Sequence, residues 1–393
     1  MKLKRIALSA ALTIAAMGTA TAQISNNIVK IGVITDLSGL YSDLSGQGSI
    51  VAARMAIDDF GKTVLGKPIE IVTADSQNKA DVAAAKAREW IDQKNVDVLM
   101  DLVPTNVALA VMDIAQQKNK LAIVVGSASS VITNEKCTAT SAHWMYDIYS
   151  SSVGTGKALV KRGGDNWFFV TEDYAFGKSL EKDVSDIVTA SGGKVSGSIR
   201  HPLNSSDFSS FLLQAQGSKA KVIGLANAGG DTVTAVKQAG EFGISSQGQI
   251  IAPLMMFISD VHAIGLKYAQ GMFLTEGFYW DQNDDTRAWS KRFFAIRKKM
   301  PTMAQASMYS AVMHYLKAVK AAGTDDTAAV MKMMRETPIN DVIIPNGTLR
   351  ADGRIVHDML LVQAKKPSES TAPWDYYKVV DKVPANEAFR PLA

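Results

Sequence analysis

The chain has 393 residues, 47% hydrophobic and 20% charged, with 42 Lys plus Arg against 38 Asp plus Glu. No basic block stands out to suggest a nucleic acid or an anionic membrane surface as partner, and the single cysteine, Cys137, excludes an intramolecular disulfide. The length exceeds one ordinary core and predicts two lobes.

Residues 1–22 read as a secretory signal peptide. Lys2, Lys4 and Arg5 form a basic start, residues 6–17 a short apolar run, and Ala20-Thr21-Ala22 a cleavage site, with Gln23 the first mature residue. The apolar run is too short to span a bilayer, and no cysteine near residue 22 offers a lipid anchor. Losing three basic residues takes Lys plus Arg from 42 to 39 against 38 acids, so the mature chain is nearly neutral. The expectation is an exported, soluble, periplasmic protein.

Beyond the leader, strand and helix signals alternate. A β-rich run over 28–35 ends at a polar, Gly-rich loop. Ile50, Ala53, Ile57 and Phe60 then recur at helical spacing until Gly61. Strands follow at 69–73, 96–102 and 121–125. Between the last two, Thr105 is placed to cap a helix whose Val107, Val111 and Ile114 make one apolar stripe. The rhythm restarts with strands at 167–170, 195–199 and 222–226 and helices at 178–190 and 231–242. Two blocks of strand, polar loop and helix predict two α/β lobes with parallel sheets. Helices at 289–299 and 307–322 and strands at 359–364 and 376–380 read as a tail returning to complete both lobes.

An enzyme needs a reactive constellation, and none is present. His143, His201, His262, His314 and His357 lie far apart, without ligand spacing for a metal. Cys137 has no nearby histidine to activate it. Gly46-Gln47-Gly48 lacks the third glycine of a dinucleotide loop, with Val51 in its place. There is no nucleophile elbow or Walker loop, and no cofactor or metal is expected. Binding is better served. Ligands of open α/β sheets sit beyond the carboxyl ends of the strands, where Thr105, Ser127 and Ser129 offer hydroxyls and free N–H groups to an anion. Such residues also simply finish turns, and loop chemistry alone leaves both readings open.

Seven pieces occur in a recognisable order. They are Ile31-Gly32-Val33 through Ser38-Gly39, then Asp58-Asp59-Phe60-Gly61, then Gly66-Lys67-Pro68-Ile69-Glu70-Ile71. Asp173-Tyr174-Ala175-Phe176-Gly177, Asp207-Phe208-Ser209 and Lys237-Gln238-Ala239-Gly240-Glu241-Phe242-Gly243 follow, and Asp352-Gly353-Arg354 closes the set. With them the mature chain resembles the type I periplasmic solute-binding proteins of the leucine/isoleucine/valine-binding class, which serve ABC importers. The resemblance implies two Rossmann-like lobes joined by a three-strand hinge, residues 23–147 plus 276–354 and residues 148–275 plus 355–393, closing on a ligand. It implies a monomer that delivers its ligand to an ABC permease and ATPase.

Family ligand positions carry over as Thr105, Ser127 and Ser129 for a ligand carboxylate. Tyr174, Phe176, Asn227, Asp231 and Met255 stand on the second lobe, and Tyr41 and Tyr309 complete the cleft. One departure matters. The acid that receives a ligand's ammonium group should follow Ile250-Ile251-Ala252-Pro253, where this chain has Leu254-Met255-Met256-Phe257. A buried ammonium without a carboxylate is costly, so the expected ligand is an aromatic or other organic acid lacking an α-amino group. The competing readings are a substitute acid, Asp231 or Glu276, in an amino-acid receptor, and methionines that only fill core. A ligand sensor on the same fold and an exported hydrolase are the more distant alternatives.

Overall fold

The computed structural model describes residues 23–392; the signal peptide expected over residues 1–22 lies outside them. The first sheet unit contains β1 (Val29–Thr35), α1 (Gly46–Phe60), β2 (Thr63–Val64), β3 (Lys67–Asp75), α2 (Ala80–Lys94), β4 (Val98–Asp101), α3 (Thr105–Gln117), β5 (Leu121–Val124) and β6 (Ser141–His143). The second contains α4 (Ile148–Lys161), β7 (Asn166–Glu172), α5 (Ala175–Ala190), β8 (Lys194–His201), α6 (Ser209–Gly217), β9 (Val222–Ala226), α7 (Gly230–Glu241) and β10 (Ile250–Pro253). The rest comprises α8 (Ile258–Ile264), α9 (Leu266–Ala269), β11 (Phe273–Glu276), α10 (Asp284–Arg297), α11 (Met303–Ala322) and α12 (Thr327–Glu336). The chain ends with β12 (Thr348–Leu349), β13 (Ile355–Val356), β14 (Met359–Ala364), β15 (Tyr377–Val383) and α13 (Ala385–Ala388).

The first sheet runs β2-β3-β1-β4-β5-β6 and is parallel except for the two-residue β2; the second runs β10-β9-β7-β8 and is wholly parallel. The central strands β4, β5 and β9 are buried throughout. Helices cover both faces of such strands, which is why they read as continuous apolar runs. Gly32 lets α2 lie close to β1: a Cβ there would stand 2.7 Å from Trp90 Cε3.

The returning tail, expected to complete both lobes, adds strands that pair differently from the two parallel sheets. β14 pairs antiparallel with β11 and with β15, a third sheet of its own. β14 and β15 are joined locally, with no crossover helix between them, and a local return forces antiparallel pairing. The helices α10 and α11 come back to α1. There, Arg292 pairs with Asp59 at 2.6 Å and the Tyr309 hydroxyl donates to the same carboxylate at 2.9 Å.

Three stretches meet at the junction between the two parallel sheets. His357 Nε2 bonds the Met145 carbonyl at 2.8 Å, and the Arg354 guanidinium donates to the Tyr146 and Ile355 carbonyls at 2.9 and 3.0 Å. Gly277 completes the contact, since a Cβ there would stand 2.7 Å from Met145 Cγ. Among the described residues no helix is long and apolar enough to cross a membrane.

Candidate ligand-binding cleft

The first lobe presents the loop after β1. Asp36 accepts the N–H groups of Gly39 and Tyr41 at 2.7 and 2.8 Å and the Asn78 amide at 2.7 Å. The start of α11 holds the other end of this loop, with Thr302 donating to the Leu44 carbonyl at 2.6 Å and Gln305 to the carbonyls of Asp43 and Ser45 at 3.0 Å each. Tyr41 therefore projects from a braced loop.

Next to it lie the ends of β4 and β5. The Asp101 carbonyl accepts the N–H groups of Val125 and Gly126, both at 2.9 Å, and turns the chain into Gly126-Ser127-Ala128. Two further groups hold this turn from behind. The Tyr146 hydroxyl donates to the Gly126 carbonyl at 3.0 Å, and His143 Nε2 bonds the Ser127 carbonyl at 2.7 Å. Because a carbonyl can only accept, Nε2 carries the proton. Burial, then the Arg354 charge, hold the His143 imidazole neutral, well below its ordinary value. The N–H groups of Ser127, Ala128 and Ser129 make no backbone hydrogen bond, and Ser129 Oγ is buried without a partner. Thr105 is not the cap expected of it. Pro104 occupies that position, and Thr105 opens α3 with its hydroxyl 3.4 Å from Ser127 Oγ.

The second lobe supplies Tyr174 and Phe176 from the start of α5, ring centroids 5.9 Å apart. Gly177 makes this possible, since a Cβ there would meet the Glu172 carbonyl at 2.1 Å; only glycine lets α5 begin so close to β7. After β10 the chain bends at Leu254 and Met255, and Phe257 packs edge-on to Tyr146 at 5.8 Å.

These parts bound a cleft of about 320 Å³, its space open to solvent included. Thr105, Ser127 and the Gly126 and Ala128 backbone line one end, and Leu44, Val103, Tyr146, Ala228, Met255 and Phe257 give apolar and aromatic walls. Tyr41, Tyr174 and Phe176 complete it. The lining contains no Asp, Glu, Lys, Arg or His. Across the mouth the Tyr41 and Tyr174 hydroxyls are 2.8 Å apart, and the Gly230 N–H donates to the Leu40 carbonyl at 3.3 Å. Burial raises both phenols, so they stay neutral.

Of the residues nominated from sequence, Tyr41, Thr105, Ser127, Tyr174, Phe176 and Met255 therefore meet around one cavity. Ser129 lies one residue beyond its lining. Three others are placed elsewhere. Asn227 braces its own loop, bonded to His201 Nε2 at 3.1 Å and to the Thr232 hydroxyl at 2.8 Å. Tyr309 serves the α1–α11 contact described above, and Asp231 is buried beside Glu172. Glu276, the other substitute acid, is buried against the Tyr377 hydroxyl at 3.2 Å, its carboxyl raised well above the usual range by burial. Val103, Tyr146, Ala228 and Phe257 were not legible as lining, because packing rather than a motif brings them there. Cys137 is exposed, and among the described residues no group of three His, Cys, Asp or Glu could hold a metal ion.

Comparison with known proteins agrees with this architecture. A family model described as "Periplasmic binding protein" matches residues 28–370. A periplasmic binding protein of Burkholderia mallei is 53% identical, with a TM-score of 0.90 over 93% of this chain and 96% of that one. A branched chain amino acid ABC transporter periplasmic ligand-binding protein of Burkholderia xenovorans LB400 is 40% identical, TM-score 0.83, over 92% and 97%. The Leu/Ile/Val-binding protein homolog 6 of Brucella melitensis biotype 1 is 26% identical, over 94% of this chain and 95% of its own length.

Proposed function

Since the chain belongs to the periplasmic binding protein family, whose members matched here are solute-binding proteins of ABC transporters rather than enzymes, we propose that it captures a small carboxylate without an α-amino group, a benzoate-type acid being the best fit, for an ABC importer. The observation that carries this reading is the cavity lining: hydroxyls and unpaired N–H groups at one end, apolar and aromatic walls elsewhere, and no carboxylate. The first end suits a ligand carboxylate, since backbone N–H groups and a helix start both favour an anion. The walls suit an uncharged ring, and methionine adapts to ring edges. Solute-binding proteins of R. palustris with this fold, 22% and 20% identical, were solved in complex with benzoate and 4-hydroxybenzoate. At that identity they speak for the fold alone, and the lining is what brings an aromatic acid to this chain.

A ligand gripped by both lobes favours the closed form by its differential affinity. Shifting a population from mostly open to mostly closed takes about 10⁴-fold preference, roughly 5.5 kcal/mol, within reach of several charge-assisted hydrogen bonds of about 1.5–3 kcal/mol each. An amino-acid receptor is the second reading, favoured by the relatives named for branched-chain amino acids. It needs an acid facing the cavity, and neither Asp231 nor Glu276 lines it. Calorimetric titration with benzoate, 4-hydroxybenzoate, cyclohexanecarboxylate, leucine and phenylalanine decides between them. The ring acids bind and the amino acids do not; tighter binding of leucine than of benzoate overturns the proposal.

A further inference from the structure

The cleft is fastened at its mouth by Tyr41. This side chain leaves the first lobe and ends between two residues of the second, its hydroxyl 2.8 Å from the Tyr174 hydroxyl and 3.5 Å from Glu172 Oε1. Glu172, the last residue of β7, is fully buried next to Asp231 in the first turn of α7. No donor among the described residues faces Glu172 Oε2. Two adjoining carboxylates shielded from water do not both carry charge, so one of the pair holds a proton.

Among the described residues no cation pairs with either carboxyl. Tyr41 reaches in from the β1 loop and Tyr174 from the start of α5. From the loop after β8, the Asn204 N–H donates to Asp231 Oδ2 at 2.9 Å. His201, opposite Glu172 in the β7–β8 ladder, has its ring nitrogens on Pro202 and Asn227. Nearby Arg200 pairs with Glu181 and Lys178 with Asp173. The Asn204 amide and the start of α7 favour charge on Asp231, which leaves the proton with Glu172. Burial, then the Asp231 carboxylate, raise the Glu172 carboxyl, and burial raises that of Asp231.

We infer that closure of the cleft takes up a proton at the Glu172–Asp231 pair, so that the protein closes more readily, and holds its ligand more tightly, as the solution becomes more acidic. This rests on reading the interlobe cleft as the ligand site. When the first lobe withdraws, Tyr41 leaves its socket, water reaches the pair and both carboxyls ionise. Closure strips that water away and a proton returns. One proton taken up per closure changes affinity by up to about 10-fold per pH unit.

The test pairs benzoate calorimetry at about pH 6, 7 and 8, in buffers of different ionisation enthalpy, with small-angle scattering of the ligand-free protein at the same values. Wild type takes up close to one proton on binding at the alkaline end, weakens by up to about 10-fold per unit there, and is more compact at the acid end. Glu172→Gln binds with a flat pH dependence and no proton uptake; should it fail to fold, Asp231→Asn, which removes the second cause and leaves burial, takes up less than the wild-type proton count with a shallower slope, and a wild-type count and slope there overturns the inference. Unchanged wild-type affinity and proton count across the range, or a wild-type slope in folded Glu172→Gln, overturns the inference while leaving the benzoate reading intact. Absence of benzoate binding alongside an acid-driven compaction that Glu172→Gln lacks retains proton-linked closure and removes the benzoate reading.

Discussion

Replacing the two hydroxyls at the anion end, Thr105→Val with Ser127→Ala, tests whether a carboxylate sits there. These hydroxyls stand 3.4 Å apart and have no other side-chain partner, so each is free to donate to an incoming oxygen. A hydrogen bond to a charged group contributes about 1.5–3 kcal/mol, and each 1.4 kcal/mol is about tenfold in affinity. Either single change should weaken benzoate binding by roughly 10- to 150-fold. The double change should fall short of the product, because adjoining groups that share one ligand couple.

Stability should respond quite differently. The bonds that hold the turn run through main-chain carbonyls, from Tyr146 to Gly126 and from His143 to Ser127, and neither substitution touches them. The ligand-free protein should therefore unfold within about 1 kcal/mol of wild type, as substitutions away from packing and networks do. Isothermal titration with benzoate, alongside scanning calorimetry of the ligand-free variants, reads both quantities. Affinity within twofold of wild type in the double variant would remove the carboxylate from this end of the cavity. A loss of binding matched by a collapse of ligand-free stability would mean that the hydroxyls hold the loop rather than the ligand.

Met255→Glu places an acid on a wall that has none; benzoate binding should fall by at least about tenfold through like-charge repulsion, while titration with leucine or phenylalanine should show a gain. His143→Gln probes the ring behind the turn. Burial lowers the His143 imidazole value, so the unfolded chain binds a proton that the folded one excludes. The resulting stability is complete above about pH 6.5, the unfolded value, and is lost as pH falls below it. Thermal midpoints between about pH 7 and 5 should fall less steeply in His143→Gln than in wild type. Tyr309→Phe should leave benzoate affinity unchanged and cost about 1.5 kcal/mol of stability in denaturant titration, the low end for a hydrogen bond to a charged group, since the Asp59 carboxylate it meets is partly exposed; a selective loss of affinity would return Tyr309 to the cleft.

The strands that were legible are those whose burial leaves a mainly apolar run. The reading over 222–226 matches β9 (Val222–Ala226) and that over 359–364 matches β14 (Met359–Ala364). Among the elements that escaped, with α6, α8, α12 and β11, is α4 (Ile148–Lys161), whose Ser150-Ser151-Ser152, Gly154 and Gly156 look like a loop by propensity. Packing overrides propensity here. A Cβ on Gly154 would stand 2.7 Å from Thr275 Oγ1 and one on Gly156 would stand 3.0 Å from Ile187 Cγ2, so the helix needs small residues to lie against β11 and α5. The Asp147–Ser150 capping box, with bonds of 2.7 and 2.8 Å, was the local signal that marked its start.

For the cleft, sequence order could identify which strand ends carry hydroxyls, but not which way a loop side chain turns. Asn227 and Ser127 follow strands in similar settings, yet one folds back on His201 while the other lines the cavity. The stretch after β10 makes the point at single-residue scale. Met255 and Phe257 line the cavity, while Leu254 and Met256 do not. An acid introduced at 254 would be buried behind the wall, with only desolvation to show for it; at 255 it would face the ligand. If the amino-acid reading held, the residue at 255 is where an acid could reach a ligand's ammonium group, and a thioether stands there.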